Sequence, residues 1–243
     1  MYSYAHASSL LCQPPANMEP SSKKIKTEEE ENKQDLLAYF PPEIQWRKIK
    51  RTNLDLDYAR IFPAKYANAI FTRLEQETRY HQGQLARTMF RGKWYDLRRK
   101  HASYGDEGIN YSFSGMTLPA LPWTHLLTYI RSVVKQACGV DFNFVLVNRY
   151  DSGKDYLGYH RDDEDGLDKT KPIVSLSFGQ ARPFLLKPIL TGNAPPLELL
   201  LENGSMLSMN PPTNEFWLHS LPRRQRVVFP RINLTFRCII IKK

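Results

Sequence analysis

The sequence predicts a mainly β, α+β domain: a double-stranded β-helix, or jelly roll, carrying an N-terminal helical layer. Three observations lead there. From Phe142 onward, short apolar runs of period two are separated by Gly, Pro and Asn turns, the pattern of antiparallel sandwiches and barrels. Upstream of them lie two segments whose apolar residues recur at helical spacing. The first stretch of the chain shows no sustained apolar periodicity.

Taken in order, residues 1–50 read as a disordered tail, with Pro and Ser, a basic "KKIK" and then "EEEE", too little apolar surface for a core. The domain is expected over 51–243, with order beginning near "LDLDYARIFP". Pro63 suits the first position of a helix, continued by Tyr66, Ile70 and Leu74. The second helix is expected in "LPWTHLLTYIRSVVKQACG", with Pro122 at the start, one apolar stripe from Trp123 to Ala137, and Gly139 at the stop. The jelly-roll core, about 142–240, is expected from "FNFVLVNRY", "PIVSLSFG", "PFLLKPIL", "LELLLENG", "SMLSMN", "RQRVVFP" and "RINLTFRCIII".

Composition bounds the surroundings. The 243 residues suit one sizeable domain plus a tail, and no run approaches the roughly 18 apolar residues of a membrane span. "SLLC" is too short for a signal-peptide core. Three scattered cysteines without a C-x-x-C argue against a disulfide framework or zinc ribbon, and so for a reducing compartment. "KKIK" is a short candidate nuclear-import signal. The net charge of +9 is concentrated. Seven basic residues lie between Arg79 and Lys100 with Asp96 as the only acid, and Arg223, Arg224 and Arg226 form a second cluster. Such patches are either a solvated face or a phosphate-binding surface.

"GYHRDDEDG" opposes that charge, with Asp162, Asp163, Glu164 and Asp165 consecutive. It is either a solvated acidic turn or a cation site. His160 and Asp162 leave the same face of an extended chain and can share an ion, although the pair alone means little. His219 in "NEFWLHSLP" is the candidate third ligand. Two histidines and a carboxylate with open positions form the facial triad of non-haem Fe(II) oxygenases. His6, His81, His101 and His125 read as surface or core residues.

In "PRINLTFRCI", read as a strand, Arg231, Asn233, Thr235 and Arg237 share one face. Two arginines inside a small barrel are costly without anions to meet them. Their Cα atoms lie ~20 Å apart at a rise of ~3.3 Å per residue, so inward-leaning side chains can bracket an elongated dianion with Thr235 between them. An edge strand with both arginines in water fits less well, because "CIII" continues apolar on both faces. Iron with open positions plus a dicarboxylate site is the inventory of a 2-oxoglutarate-dependent dioxygenase.

On these residues the sequence resembles a known family. "NRY…GYHRDDE…SLSFG…GSMLSMN…HSLP…PRINLTFR" is similar to the AlkB family of nucleic-acid dealkylases, most of all the AlkB homologue 2 kind that acts on duplex DNA, from about Ala86 to Ile239. The resemblance implies iron on His160, Asp162 and His219, and 2-oxoglutarate on Asn148, Tyr150, Arg231, Thr235 and Arg237. It implies that iron(II), O2 and 2-oxoglutarate hydroxylate an N-methyl group on a base, giving succinate and CO2. The product then collapses to formaldehyde and the repaired base. The preferred lesions, 1-methyladenine and 3-methylcytosine, are cations, so Asp163 and Glu164 at the pocket mouth would favour them. Asp165 and Asp168 remain solvated turn residues.

The resemblance extends to DNA contacts. Phe90 corresponds to a finger residue that fills the gap left by a flipped base, beside Gly92 and Lys93. Here Arg91 is inserted between Phe90 and Gly92, a departure from the family pattern by one residue. Tyr111, Ser112 and Phe113 match the segment lining the base pocket, where Phe113 and His160 would sandwich the base. Arg99, Lys100, Arg223, Arg224 and Arg226 are the phosphate candidates. The expected partner is double-stranded DNA with alkylated bases, met by a monomer in the nucleus, with no membrane. Alternatives are an RNA or single-strand dealkylase, a protein hydroxylase, or a metal-free jelly roll that only binds nucleic acid. An intact triad and both arginines argue against the last.

Overall fold

A computed structural model describes residues 36–113, 116–163, 166–190 and 196–240. Seven antiparallel strands form the larger sheet, in the order β1 (Arg47–Arg51), β2 (Leu54–Arg60), β13 (Ser205–Asn210), β10 (Ile173–Gly179), β15 (Arg231–Arg237), β8 (Phe144–Tyr150) and β5 (Lys100–Gly105). Four more form a smaller sheet, β12 (Leu197–Leu201), β11 (Arg182–Pro188), β14 (Trp217–Leu221) and β9 (Leu157–His160). Two hairpins, β3 (Arg87–Phe90) with β4 (Lys93–Asp96) and β6 (Asn110–Phe113) with β7 (Met116–Pro119), stand apart from both sheets. The predicted antiparallel jelly-roll architecture is therefore present, as a sandwich of two sheets.

Alternation in the central strands builds two cores from one sheet. Val145 and Val147 of β8, Val174 and Leu176 of β10, and Ile232, Leu234 and Phe236 of β15 face outward. They meet helices α1 (Ala64–Glu77) and α2 (His125–Cys138), which form the helical layer. The other face, with Leu56, Phe144, Leu146, Leu207 and Met209, packs on Phe184, Leu186, Leu199 and Trp217 of the smaller sheet. Full burial of each such side chain is worth about 1.5–3 kcal/mol. The inner face turns polar where β8, β15 and β10 run side by side, and the site lies there.

Several boundaries differ from expectation. The chain read as tail is already folded at Leu36, which is buried in the outer core. Tyr39 stacks on Tyr66 at 4.2 Å and its carbonyl accepts from the Tyr129 hydroxyl at 2.6 Å. Arg47–Arg51 pairs with β2, so sheet structure also crosses residue 50. Pro63 caps α1 in an extended conformation instead of being its first helical residue. Helix α2 starts after Pro122 and Trp123, because the Thr124 side chain accepts from Leu127 N–H and sets the N-terminus. Gly139 ends it in the left-handed region at φ 73°, as its position implied.

One expected strand is absent and another is shorter than expected. In "RQRVVFP" the chain turns, with Val227 N–H donating to Arg224 C=O, and Val228 and Phe229 stay 67% and 68% exposed. Cys238, Ile239 and Ile240 leave the sheet after Arg237; Ile239 makes an isolated bridge to Leu167, and Ile240 is 57% exposed. The burial of β15 comes instead from its central place between β8 and β10, with all seven residues buried. The seven strands before residue 142 were not foreseen individually.

Candidate active site

Strands β9 and β14 are neighbours in the smaller sheet, and their register sets His160 opposite His219. The two rings meet with centroids 4.2 Å apart. Just past the end of β9 the chain folds Asp162 inward, and its Oδ1 lies 3.7 Å from His160 Nε2 and 3.8 Å from His219 Nε2. The ligand atoms of all three residues fall within 4.8 Å of one another. His160 Nδ1 sits 2.9 Å from the Gly158 carbonyl, which as an acceptor places a proton on Nδ1 and leaves Nε2 facing the other two. Phe184 stacks on His219 with ring centroids 5.4 Å apart.

The protonation states suit a cation. Burial, and then the neighbouring His160, push His219 down to about 3, so its imidazole is neutral at physiological pH. Burial is the largest influence on Asp162 and works against its ionisation, but the Arg237 guanidinium and, after it, His219 and His160 together outweigh burial and hold the carboxyl below the usual range. The contact between His219 and Asp162 thus joins a neutral ring to a carboxylate and is not an ion pair. A metal takes ligands in that state, deprotonated and convergent.

The inner face of β15 supplies the second half. Arg231 is buried, donates from Nη2 to Ser177 Oγ at 2.8 Å, and its buried Nε meets no hydrogen-bond partner among the described residues. Its guanidinium carbon lies 5.5 Å from the centre of the Tyr150 ring. Burial lowers its pKa to about 10, which leaves it charged. A buried cation with a spare donor is a fit for a carboxylate. Thr235 donates to Asn233 Oδ1, and Asn233 donates to Ser175 Oγ and the Leu176 carbonyl, so this row is held rigidly. Arg237 directs both Nε and Nη2 at Asp162 Oδ2, at 2.9 and 2.5 Å. It therefore orients the carboxylate of the triad in addition to standing at the end of the row. Asn148, opposite Asn233, accepts from Arg99 Nε at 2.6 Å.

The candidates for nucleic-acid contact scatter more widely. Arg99 turns inward to Asn148, while Lys100 reaches Asp151 at 3.4 Å. With Arg87 and Arg98 they line a groove of about 940 Å³. Arg91 and Gly92 form the two-residue turn of the β3–β4 hairpin with φ of 48° and 73°. Two positive φ values are the mark of a type I′ turn. The inserted Arg91 thus pairs Phe90 with Lys93 at the strand ends. Asp163 is 68% exposed on its side chain and lies 3.7 Å from Arg161 Nε. Arg223 and Arg226 are exposed, and Arg224 points to Glu198 at 3.8 Å. Glu164, Asp165 and the side chains of Phe90, Tyr111, Ser112 and Phe113 lie outside what the structure describes; His6 does too.

Sequence reasoning missed three residues that shape the site. Arg182 is 1% exposed and donates to the carbonyls of Ser152, Asp155 and Pro222, tying the β8–β9 loop to the segment after β14. The loop comes so close that a Cβ on Gly153 would fall on the Arg224 carbonyl. A lone arginine in phase with Phe184 and Leu186 was the available signal. Phe184 and Asn214, against His219 and Asp162, gave none.

His101, on β5 opposite Asn148, read as a surface or core residue, and the structure buries it fully. Burial, with the nearby Arg99 adding to it, pushes its pKa down to about 3. An unfolded chain takes up this proton near pH 6.5 and the folded one does not. Stability from this group is therefore complete above pH 6.5 and lost as pH falls toward 3. His101→Gln should flatten that acid limb by up to about 1.4 kcal/mol per pH unit, read from denaturant melts between pH 4.5 and 7. An unchanged limb would assign the acid sensitivity elsewhere.

A profile of the family described as "2OG-Fe(II) oxygenase superfamily" matches residues 58–237. Among curated proteins, the Mus musculus protein named "DNA oxidative demethylase ALKBH2" is 46% identical over 204 residues, covering 82% of this chain and 85% of its own length. The Homo sapiens protein of the same name is also 46% identical, over 82% of this chain and 78% of its length. The Bos taurus "Alpha-ketoglutarate-dependent dioxygenase alkB homolog 3" is 32% identical, over 72% of this chain and 62% of its length. A solved structure titled "The structure of OsALKBH1" superposes with a TM-score of 0.56 at 18% identity, covering 81% of this chain and all of that one, a likeness of fold.

Proposed function

The chain belongs to the 2OG-Fe(II) oxygenase superfamily, with relatives named as AlkB homologue 2 demethylases, and from that premise we propose that it is an oxidative DNA dealkylase. The observation that carries this reading is a convergent His160, Asp162 and His219 set beside a buried Arg231 with a donor to spare. His160, Asp162 and His219 would hold iron(II); Arg231, Tyr150, Asn148, Thr235 and Arg237 would hold 2-oxoglutarate. Once bound, iron(II), O2 and 2-oxoglutarate supply the oxidation of a methyl carbon, with succinate and CO2 released. The hydroxymethyl group then leaves the base nitrogen as formaldehyde.

The chain's own residues do the positioning. Arg231 binds the distal carboxylate and lies against the Tyr150 ring, which limits its freedom. Arg237 keeps Asp162 ionised and aimed, and Phe184 stacks on the ring of His219. 1-Methyladenine and 3-methylcytosine are the proposed substrates. Both are cations that cannot pair normally, so they are cheaper to flip, and the exposed Asp163 carboxylate attracts them.

Duplex DNA is the proposed substrate form, supported by the exposed β3–β4 hairpin, where Met89, Trp94 and Tyr95 stand in solvent beside the basic groove. Phe90 at its tip would refill the gap left by a flipped base. We place the protein in the nucleus, acting as a monomer, with a catalytic unit that starts at Leu36 or earlier. Among the described residues no helix is long and apolar enough to cross a membrane.

The decisive assay is turnover of a methylated duplex oligonucleotide with and without 2-oxoglutarate, beside the matching single strand and RNA. Absence of 2-oxoglutarate-dependent repair on every substrate would end the proposal; repair of RNA or single strands alone would move it to those substrates. Phe90→Ala should slow duplex repair about tenfold, since one lost stacking contact is worth about 1–3 kcal/mol. Single-strand repair should change less than about twofold, because no duplex stack has to be refilled. Equal losses on both would make Phe90 a folding or pocket residue. Loss of Arg223 and Arg226 should flatten the salt dependence of duplex binding.

A further inference from the structure

Asp162 has an awkward position for a metal ligand. Strand β9 stops at His160, so among the described residues no ladder partner reaches the backbone of the buried Asp162. An unpaired N–H and C=O at that depth would destabilise the segment and let the carboxylate wander. The Asn214 carboxamide meets both groups. Its Oδ1 accepts from Asp162 N–H at 3.0 Å and its Nδ2 donates to the Asp162 carbonyl at 2.5 Å. Only one orientation of the amide satisfies both contacts, so the side chain acts as a one-residue substitute for a neighbouring strand.

The preceding residue anchors Asn214 in turn. Thr213 opens α3 (Thr213–Phe216) and is buried. Its hydroxyl accepts from Asp55 N–H at 2.8 Å and donates to the Asp55 carbonyl at 3.0 Å, the same two-point grip on the end of β2. Two consecutive side chains thus clamp Asp162 to the larger sheet, while α3 runs directly into β14 and His219. Asp162 and His219 are thereby placed relative to each other by a single rigid turn.

We infer that Asn214 is a positioning residue for the metal: it fixes the backbone of Asp162 so that Oδ1 converges with both histidines before any ion arrives. The inference rests on the iron reading proposed above. Partners that orient ligands without touching the metal are worth about 10–100-fold in metal affinity. Asn214→Ala should therefore weaken Mn(II) binding, followed as loss of the free-ion electron paramagnetic resonance signal on the full chain, by at least about tenfold. Thr213→Val should weaken it by less, since Asn214 keeps both contacts.

A merely structural role predicts a lower melting temperature of the metal-free protein with Mn(II) affinity retained, and affinity within twofold of wild type would overturn the inference. Asn214→Asp keeps the acceptor but sets an oxygen against the Asp162 carbonyl, and should bind Mn(II) no better than Asn214→Ala. If Asn214→Ala does not fold, Asn214→Ser, which can keep one contact, takes its place under the same criterion. Wild type that fails to bind Mn(II), or binds it as Asp162→Ala does, would overturn the iron reading itself. Wild type that binds beside an unaffected Asn214→Ala would overturn only the role of Asn214.

Discussion

Asp162→Ala is expected to abolish dealkylation, a fall of more than about a thousandfold, or roughly 4 kcal/mol in barrier, while duplex affinity stays within about threefold. The two readouts separate because different parts of the molecule carry them. Asp162 supplies the only carboxylate of the triad among the described residues and is 3% exposed. Phosphate contacts from exposed cations supply most nucleic-acid affinity, and the cations proposed for that role lie on the β3–β5 groove and the segment after β14. The substitution also takes the carboxylate from Arg237, and breaking a buried pair can cost about 3–5 kcal/mol of stability. Asp162→Asn is the companion that keeps size and hydrogen bonding while weakening the metal site. Both variants are to be checked for a native melting transition, then for repair and for gel-shift affinity on one methylated duplex. Full repair by either folded variant would remove iron from Asp162.

The chemistry was more legible in the sequence than the scaffold that aims it. His160 and Asp162 sit two apart at the end of a strand, so a local rule sufficed to pair them. The four polar residues of "RINLTFR" share a face by alternation alone, and β15 keeps that alternation because it is central and buried. Alternation misled in "RQRVVFP", where the same apolar rhythm finds no neighbouring strand and Val228 and Phe229 remain in water. Strand β5 hid for the opposite reason: His101 and Ser103 are buried polar residues in a segment that reads as mixed. Helix α2 was placed correctly but started too early, since the Thr124 cap overrides the proline two residues before it.

What sequence could not show is contact across distance. Asn214 meets Asp162 from 52 residues away, and Arg99 meets Asn148 from 49. Arg182 was hidden among apolar neighbours and proves to hold three loop carbonyls. Each is a polar group whose partner is a backbone or amide with no signature of its own. Motifs expose the residues that touch an ion or a substrate; the residues that hold those in place become visible only when the fold brings them together.

The second large effect is expected at Arg231, where Ala should raise the Michaelis constant for 2-oxoglutarate by at least about tenfold. A charge-assisted arginine–carboxylate contact in a buried site is worth ~1.5–3 kcal/mol, and tenfold corresponds to about 1.4. Arg231 stays charged despite its burial, one donor goes to Ser177, and the buried Nε is among the donors left without a partner among the described residues. Arg231→Lys is the sharper variant. It preserves the charge but has no planar fork and a different reach, so it should recover only part of the affinity. Binding measured directly, by calorimetry with Mn(II) in place of iron, should follow the same order: wild type, then Lys, then Ala. Were Arg231 merely filling the core, both variants would lower the melting temperature with the 2-oxoglutarate dependence unmoved, and the dicarboxylate would have to be sought at Arg237. That residue gives a different signature. Arg237→Ala removes the cation that holds Asp162 ionised, so it should weaken Mn(II) as well as 2-oxoglutarate. Arg231→Ala should weaken 2-oxoglutarate alone, with Mn(II) affinity in its absence within about twofold of wild type, because the structure gives Arg231 no contact with any of the three metal ligands.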